Sequence, residues 1–278
     1  MSSAHRSFSE YIVIGTLLAC VAGVVNAVGF VAFGGFVTHV SGNATRAAVE
    51  YSEAHFLIAG VFLVGIFFFI AGAVTTTILL RGHTIESAKV SYAVPVYVEA
   101  ALIAGVAWVG SSHVSMGESL EIARIRDAWY LNALTFAMGM QNAIIRPASG
   151  TIIRTTHVTG IVTDIGIAIG TVASRAGAEF LQNPKGFLRR PEGLTTWQDI
   201  RIRMGSTFKR FHLERFFLHI ALLLSFLAGA VVGTFGYLRI GFRVLSGPLF
   251  ILILLATLEL RDWKKRTSLH GHELQEPR

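Results

Sequence analysis

A chain of 278 residues with 53% hydrophobic and only 15% charged residues is too apolar for an ordinary soluble domain, in which about a quarter of residues are charged. Its mean hydropathy is +0.58, and its charges fall in blocks between long apolar runs, the pattern of a chain that crosses hydrocarbon repeatedly. The net charge of +7 does not point to nucleic acid, because the basic residues flank apolar runs, and the single cysteine, Cys20, excludes an intramolecular disulfide.

The first apolar run follows His5 and Arg6, but it is too long for a cleaved signal segment and reads as a retained helix. Crossing about 30 Å of hydrocarbon takes about 20 residues. In chain order, 11–33, 55–80, 92–110, 129–145, 216–237 and 244–260 qualify. Two further segments, 36–51 and 154–173, are helix-like but too polar for secure spans. The fold class expected is therefore an all-α polytopic membrane protein with about six transmembrane helices plus two short or broken ones.

Loop charge sets the orientation. Residues 174–214 carry Arg175, Lys185, Arg189, Arg190, Arg201, Arg203, Lys209 and Arg210 against Glu179, Glu192, Asp199 and Glu214. The tail adds Arg261, Lys264, Lys265 and Arg266. Both segments read as cytoplasmic, which makes 216–260 a hairpin and puts the N-terminus on the same side. The localisation expected is a bacterial inner membrane. The loop reads as a linker, with an amphipathic surface helix near 197–211 as the alternative.

The two halves of the chain resemble each other. Gly23 precedes Asn26-Ala27 as Gly139 precedes Asn142-Ala143, and Thr38-His39-Val40-Ser41-Gly42 matches Thr156-His157-Val158-Thr159-Gly160. The offset is 116 residues at the asparagines (142 − 26) and 118 at the histidines (157 − 39). Pro95 and Pro248 stand near the start of each half's last span. Residues 1–110 form a first repeat with a short helix 41–51. Residues 111–278 form a second with a short helix 159–173. Each half places a glycine-rich break after an apolar helix, then a β-prone stretch (36–40, or 151–154), then Ser41 or Thr159 as N-cap of the short helix. Non-helical backbone at membrane depth survives only where protein buries it or a cavity hydrates it. Paired breaks of this kind point to a carrier's central site, and half-helix N-termini suit a polar or anionic group. Short helices that do not cross favour an inverted over a parallel repeat.

At these residues the chain resembles the YoaK-like family of bacterial membrane proteins, grouped as domain of unknown function 1275. The resemblance is carried by Asn26, Ala27, Gly42 and Asn43 and by the run from Gly139-Met140-Gln141-Asn142-Ala143 to Thr155-Thr156-His157-Val158-Thr159-Gly160. It covers nearly the whole chain and implies about six spans without a substrate. Members usually show Asp before the first Ala and Met-Thr before the first Gly-Asn, where this chain has Asn26 and Val40-Ser41. The strand-plus-half-helix pattern is also similar to that of nucleobase and sulfate transporters.

The candidate substrate-binding residues are Asn26, Thr38, His39, Ser41, Gly42, Asn43, Gln141, Asn142, Thr156, His157, Thr159 and Gly160. Structural bridging by the amides is an equal alternative. Glu99 lies well inside a span, where a carboxyl is costly to hold ionised, so it is a candidate proton site; its repeat counterpart is Leu252. Asp164 is a second candidate for ion or proton coupling, or a partner for Arg146 or Arg154. Those two arginines could draw anions to the second break. Gly60, Gly65 and Gly72 suit close helix packing. His39 and His157 match no metal signature, and no nucleophile elbow, phosphate loop or zinc helix is present. No cofactor, metal or enzymatic activity is expected. The function expected is a small secondary transporter or facilitator, with a pore or a non-transporting scaffold as alternatives. Its partners would be the bilayer, a small solute and, in an oligomer, further copies of the chain.

Overall fold

The computed structural model describes residues 8–80, 91–113, 127–144, 158–182 and 210–273. Among these the chain is helical with no strand: α1 (Phe8–Phe33), α2 (Val40–Ser52), α3 (Phe56–Leu79), α4 (Ala93–His113), α5 (Ala128–Ile144), α6 (Val158–Gln182), α7 (Arg210–Ile240) and α8 (Ser246–Glu273), with a 3-10 turn at Gly241–Leu245. Four stretches are long and apolar enough to cross a membrane: Ile12–Phe33, Phe56–Leu79, Ala93–Ser111 and Phe216–Lys265, the last holding both α7 and α8. The chain is a multi-pass helical membrane protein by this measure. The described part of α5 has 17 residues, just short of a span.

The helices form where sequence places apolar runs, but several boundaries differ from expectation. The stretch 36–40 forms no strand; it is held by side chains instead. The second short helix is not confined to 159–173: α6 runs for 25 residues to Gln182 and absorbs the start of the basic loop, while α7 starts at Arg210 and absorbs its end. The loop reading rested on charge, and charge takes a segment out of lipid without unwinding it. Ala176, Ala178 and Leu181 favour helix. Residues 197–209 lie outside the described ones. Pro95 and Pro248 each occupy the third position of a helix, α4 and α8, where proline costs no internal hydrogen bond.

The chain divides into two compact units, residues 1–157 with 225–278, and residues 158–224. Within the first, contacts fix the helix directions. Phe33 stacks on Tyr130 at 5.8 Å while Gln141 Nε2 donates to the Leu18 carbonyl at 2.9 Å, so α1 and α5 are antiparallel. Gly65 lies against Asn132 and the Thr76 hydroxyl donates to the Met140 carbonyl at 3.2 Å, so α3 and α5 run together. Gly229 lies on Cys20 and Gly233 on Val24, so α1 and α7 run together. Tyr97 and Thr257 share a 2.9 Å hydrogen bond while Phe242 packs on Gly110, so α4 and α8 are antiparallel. Helices α1, α4 and α7 therefore point one way and α3, α5 and α8 the other. An aromatic cluster of Phe33, Tyr130, Tyr237 and Phe242 closes the end at which α1 and α7 finish.

The closest helix contacts are glycine on backbone. Gly23 meets the Phe226 carbonyl of α7, and Gly229 meets the Cys20 carbonyl of α1. Gly139 meets the Phe69 carbonyl of α3, and Gly72 meets the Phe136 carbonyl of α5. In lipid, such close approach takes the place of the hydrophobic effect between helices. Gly60, by contrast, has open space where a side chain would stand.

The second unit comprises α6 and the first part of α7. Asp164 of α6 stands 3.6 Å from His219 Nε2 of α7.

Candidate functional site

After Phe33 the chain does not continue upward. Gly34, at φ 72°, reverses it, and the next residues fold back along α1. Phe36 stacks on Phe30 with ring centroids 4.7 Å apart, and Val37 packs over Gly29. The Asn26 side-chain carbonyl accepts from the Val37 amide at 3.1 Å, the Thr38 amide at 3.1 Å and the Thr38 hydroxyl at 2.9 Å. Asn43, in the first turn of α2, pairs with Phe36 on both edges: its Oδ1 accepts from the Phe36 amide at 3.1 Å and its Nδ2 donates to the Phe36 carbonyl at 2.5 Å. Two asparagines thus supply the hydrogen bonds that a helix would have supplied.

This anchoring sets a depth. Asn26 lies seven residues before Phe33, so α2 starts about 10 Å inside the end of α1. With 13 residues α2 is about 20 Å long and cannot cross a 30 Å core. The turn Glu53–His55 leads it into α3. Ser41 is not its N-cap: the cap position is His39, whose side chain makes no capping bond, and Ser41 stands inside the first turn. Among the described residues nothing caps the amides of Val40, Ser41 and Gly42. His39 and Ser41 are exposed beside them. A helix N-terminus left open in this way offers donors and partial positive charge to a polar or anionic group.

A second set of polar groups is buried in the helices. Glu99 on α4 is wholly buried, and among the described residues neither carboxyl oxygen has a hydrogen-bond partner. Gln141 on α5 is equally buried and bonded to Leu18. Phe242 touches both Gly110 and Phe33, and Phe33 stacks on Tyr130, so these residues mark one level. Glu99 lies eleven residues from Gly110 (110 − 99) and Gln141 eleven from Tyr130 (141 − 130), about 16 Å down in each case. Glu99 therefore lies well inside the candidate span Ala93–Ser111, and Gln141 lies near the described end of α5. Leu252, the repeat counterpart of Glu99, is also fully buried.

The structure therefore joins Asn26, Thr38, His39, Ser41, Gly42 and Asn43 in one turn at the start of α2. Asn142 lies on α5 beside Gln141, half-buried. Thr159, Gly160 and Asp164 lie on α6 in the second unit; Thr159 is the second residue of that helix and uses its carbonyl to accept from the Thr163 hydroxyl. Asp164 has His219 beside it, a partner missed because His219 sits 55 residues away inside another apolar run. Arg146, Arg154, Thr156 and His157 lie outside the described residues.

Sequence reading also passed over Thr76, Asn132 and Thr135, all buried where α3 meets α5; polar residues within apolar runs were the available signal. At the α2–α3 corner, Glu50, Glu53 and His55 bring one ligand atom each within 4.8 Å of one another. Arg46 Nε stands 3.4 Å from the other Glu50 oxygen, with its guanidinium over the Phe62 ring. The corner is an ion-pair cluster holding α2 to α3.

Comparison with family models matches residues 14–258 to the family described as "Protein of unknown function (DUF1275)". The chain belongs to that family. DUF1275 is the group its sequence resembles, and the match takes in the turn before α2, Glu99 and Gln141 alike. Comparison with curated proteins and with solved structures gave no match. The DUF1275 description carries no activity, so the functional reading rests on the geometry of these residues.

Proposed function

We propose that this DUF1275 protein is a small secondary transporter or facilitator for a small polar solute, with an anionic group favoured, and not an enzyme. The observation that carries the reading is the start of α2: a re-entrant helix whose first amides are uncapped about 10 Å inside the end of α1. Soluble folds cap such amides, and a membrane makes the omission costly unless water or solute reaches them. Glu99 would be the proton site, since an ionised carboxylate there has nothing to pair with.

Six spans in an inverted repeat are part of the proposal. The helix directions support it: α1, α3 and α4 alternate in one sense, and α5, α7 and α8 in the opposite one. The glycine contacts support it too, since Gly23 corresponds to Gly139, and each packs on the second span of the other half. Of the remaining candidates, we assign solute binding to Thr156 and His157, anion attraction to Arg146 and Arg154, and ion or proton coupling to Asp164. We place the chain in a bacterial inner membrane with both termini in the cytoplasm, from the basic residues of 174–214 and of the tail.

Purified protein in liposomes, loaded with a panel of carboxylates, inorganic anions, nucleobases and polyols, should show counterflow of at least one class. A pH gradient should drive that flux, and Glu99→Gln should remove the drive. No exchange above protein-free liposomes across the panel would end the carrier reading. Single-channel conductance in planar bilayers would replace it with a pore.

A further inference from the structure

A cavity of about 670 Å³ opens between the last turns of α4 and the turn joining α7 to α8. Its origin is in the sequence. Small residues at 104, 107 and 111 repeat along one face of α4, and Gly241, at φ 62°, swings the chain away before Phe242. Ala104, Ala107 and Leu249 are half-buried in its apolar wall, while Trp108, Ser111 and Arg243 are exposed at its mouth.

The surface around the mouth is apolar. Trp108 is 81% exposed, and Ile240 and Phe250 are also bare. In a multi-pass protein this surface faces lipid, so what fills the hollow comes from the bilayer rather than from water. An exposed tryptophan next to a helix end marks the headgroup level. The charge at that level is one-sided. Among the described residues neither Arg243 nor the exposed Arg239 four residues earlier has a carboxylate partner. Asp127, just before α5, is buried.

We infer that this hollow is a binding site for an anionic phospholipid, its phosphate on the Arg243 guanidinium and one acyl chain against Ala104, Ala107 and Leu249. Guanidinium engages phosphate through two parallel N–H donors, and basic hollows between membrane helices hold anionic headgroups on the same principle. The inference needs the membrane assignment and does not depend on transport.

The test uses the full chain in phosphatidylcholine vesicles, with Trp129, Trp197 and Trp263 changed to Phe so that Trp108 reports alone. A minority of brominated phosphatidylglycerol, or of brominated phosphatidylcholine, is then included as quencher. Phosphatidylglycerol should be enriched at Trp108 about five-fold, the worth of one arginine against an anionic lipid. Arg243→Gln should abolish the enrichment and Arg243→Lys should keep part of it. Equal quenching by the two lipids, or a preference that survives Arg243→Gln, overturns the inference. Relief of quenching by millimolar inorganic phosphate would reassign the site to a soluble anion and overturns it as well. Should the triple tryptophan variant fail to fold, the lipid retained by purified wild-type protein is compared with that retained by Arg243→Gln. Loss of phosphatidylglycerol from the variant alone supports the site, and equal retention overturns it.

Discussion

Gly23 of α1 and Gly229 of α7 sit so close to one another's helices that neither position has room for a methyl group. Gly139 and Gly72 do the same between α5 and α3. Both alanine variants at the first helix of each half, Gly23→Ala and Gly139→Ala, should therefore destabilise by about 1–3 kcal/mol, because the obstacle is backbone and cannot swing aside. Gly60→Ala and Gly105→Ala meet nothing and should gain slightly through helix propensity. Thermal unfolding in detergent checks this, and a Gly139→Ala midpoint level with that of Gly60→Ala would contradict it.

Asn26 carries three hydrogen bonds to the turn before α2 on one oxygen. Asn26→Ala leaves two backbone amides without an acceptor and should cost about 2–4 kcal/mol. Asn26→Asp keeps an acceptor in place, so that variant should fold nearly as well as the parent. The measurement is the unfolding midpoint together with solute counterflow. If the alanine and aspartate variants behaved alike, the turn would not hang on this oxygen.

A buried hydrogen bond need not be costly to lose. The Thr76 hydroxyl donates to the Met140 carbonyl, which already belongs to a helix ladder. Thr76→Val fills the same space and leaves no donor stranded, so it should cost at most about 1 kcal/mol, in line with interhelical bonds in membranes. A loss of several times that in the same unfolding assay would mean that the hydroxyl holds α3 to α5.

These contrasts mark where sequence reading works. The apolar runs that became α1, α3, α4, α7 and α8 were readable because hydropathy reports directly on transfer into lipid. The turn at Gly34-Gly35 and the short α2 were readable from glycine and from polarity. What hydropathy cannot report is which partner a polar atom finds. Ser41 looked like a cap because of its residue type, yet Asn43 and Asn26 take over the local hydrogen bonding, one of them from twelve residues before Thr38. His219 was hidden for the same reason: its pairing with Asp164 depends on how two helices lie, which neither segment encodes alone. The extent of α6 was missed because charge was allowed to stand for loop.

Glu99 supplies the sharpest prediction, because stability and activity should move in opposite directions. A wholly buried carboxyl with two unpartnered oxygens gains nothing from its surroundings and gives up its hydration. Replacing it by leucine, the residue at its repeat counterpart 252, removes the desolvation cost and adds apolar contact. Glu99→Leu should therefore raise stability by about 1–3 kcal/mol, while proton-driven flux falls to the level of empty liposomes. Glu99→Gln should lose the proton drive with little change in stability, since an amide is still unpartnered there. Unfolding midpoints and flux under an imposed pH gradient decide the matter on the same preparations. A leucine variant that is much less stable than the parent would mean the carboxyl is held by contacts in the folded protein, and its role would then be structural.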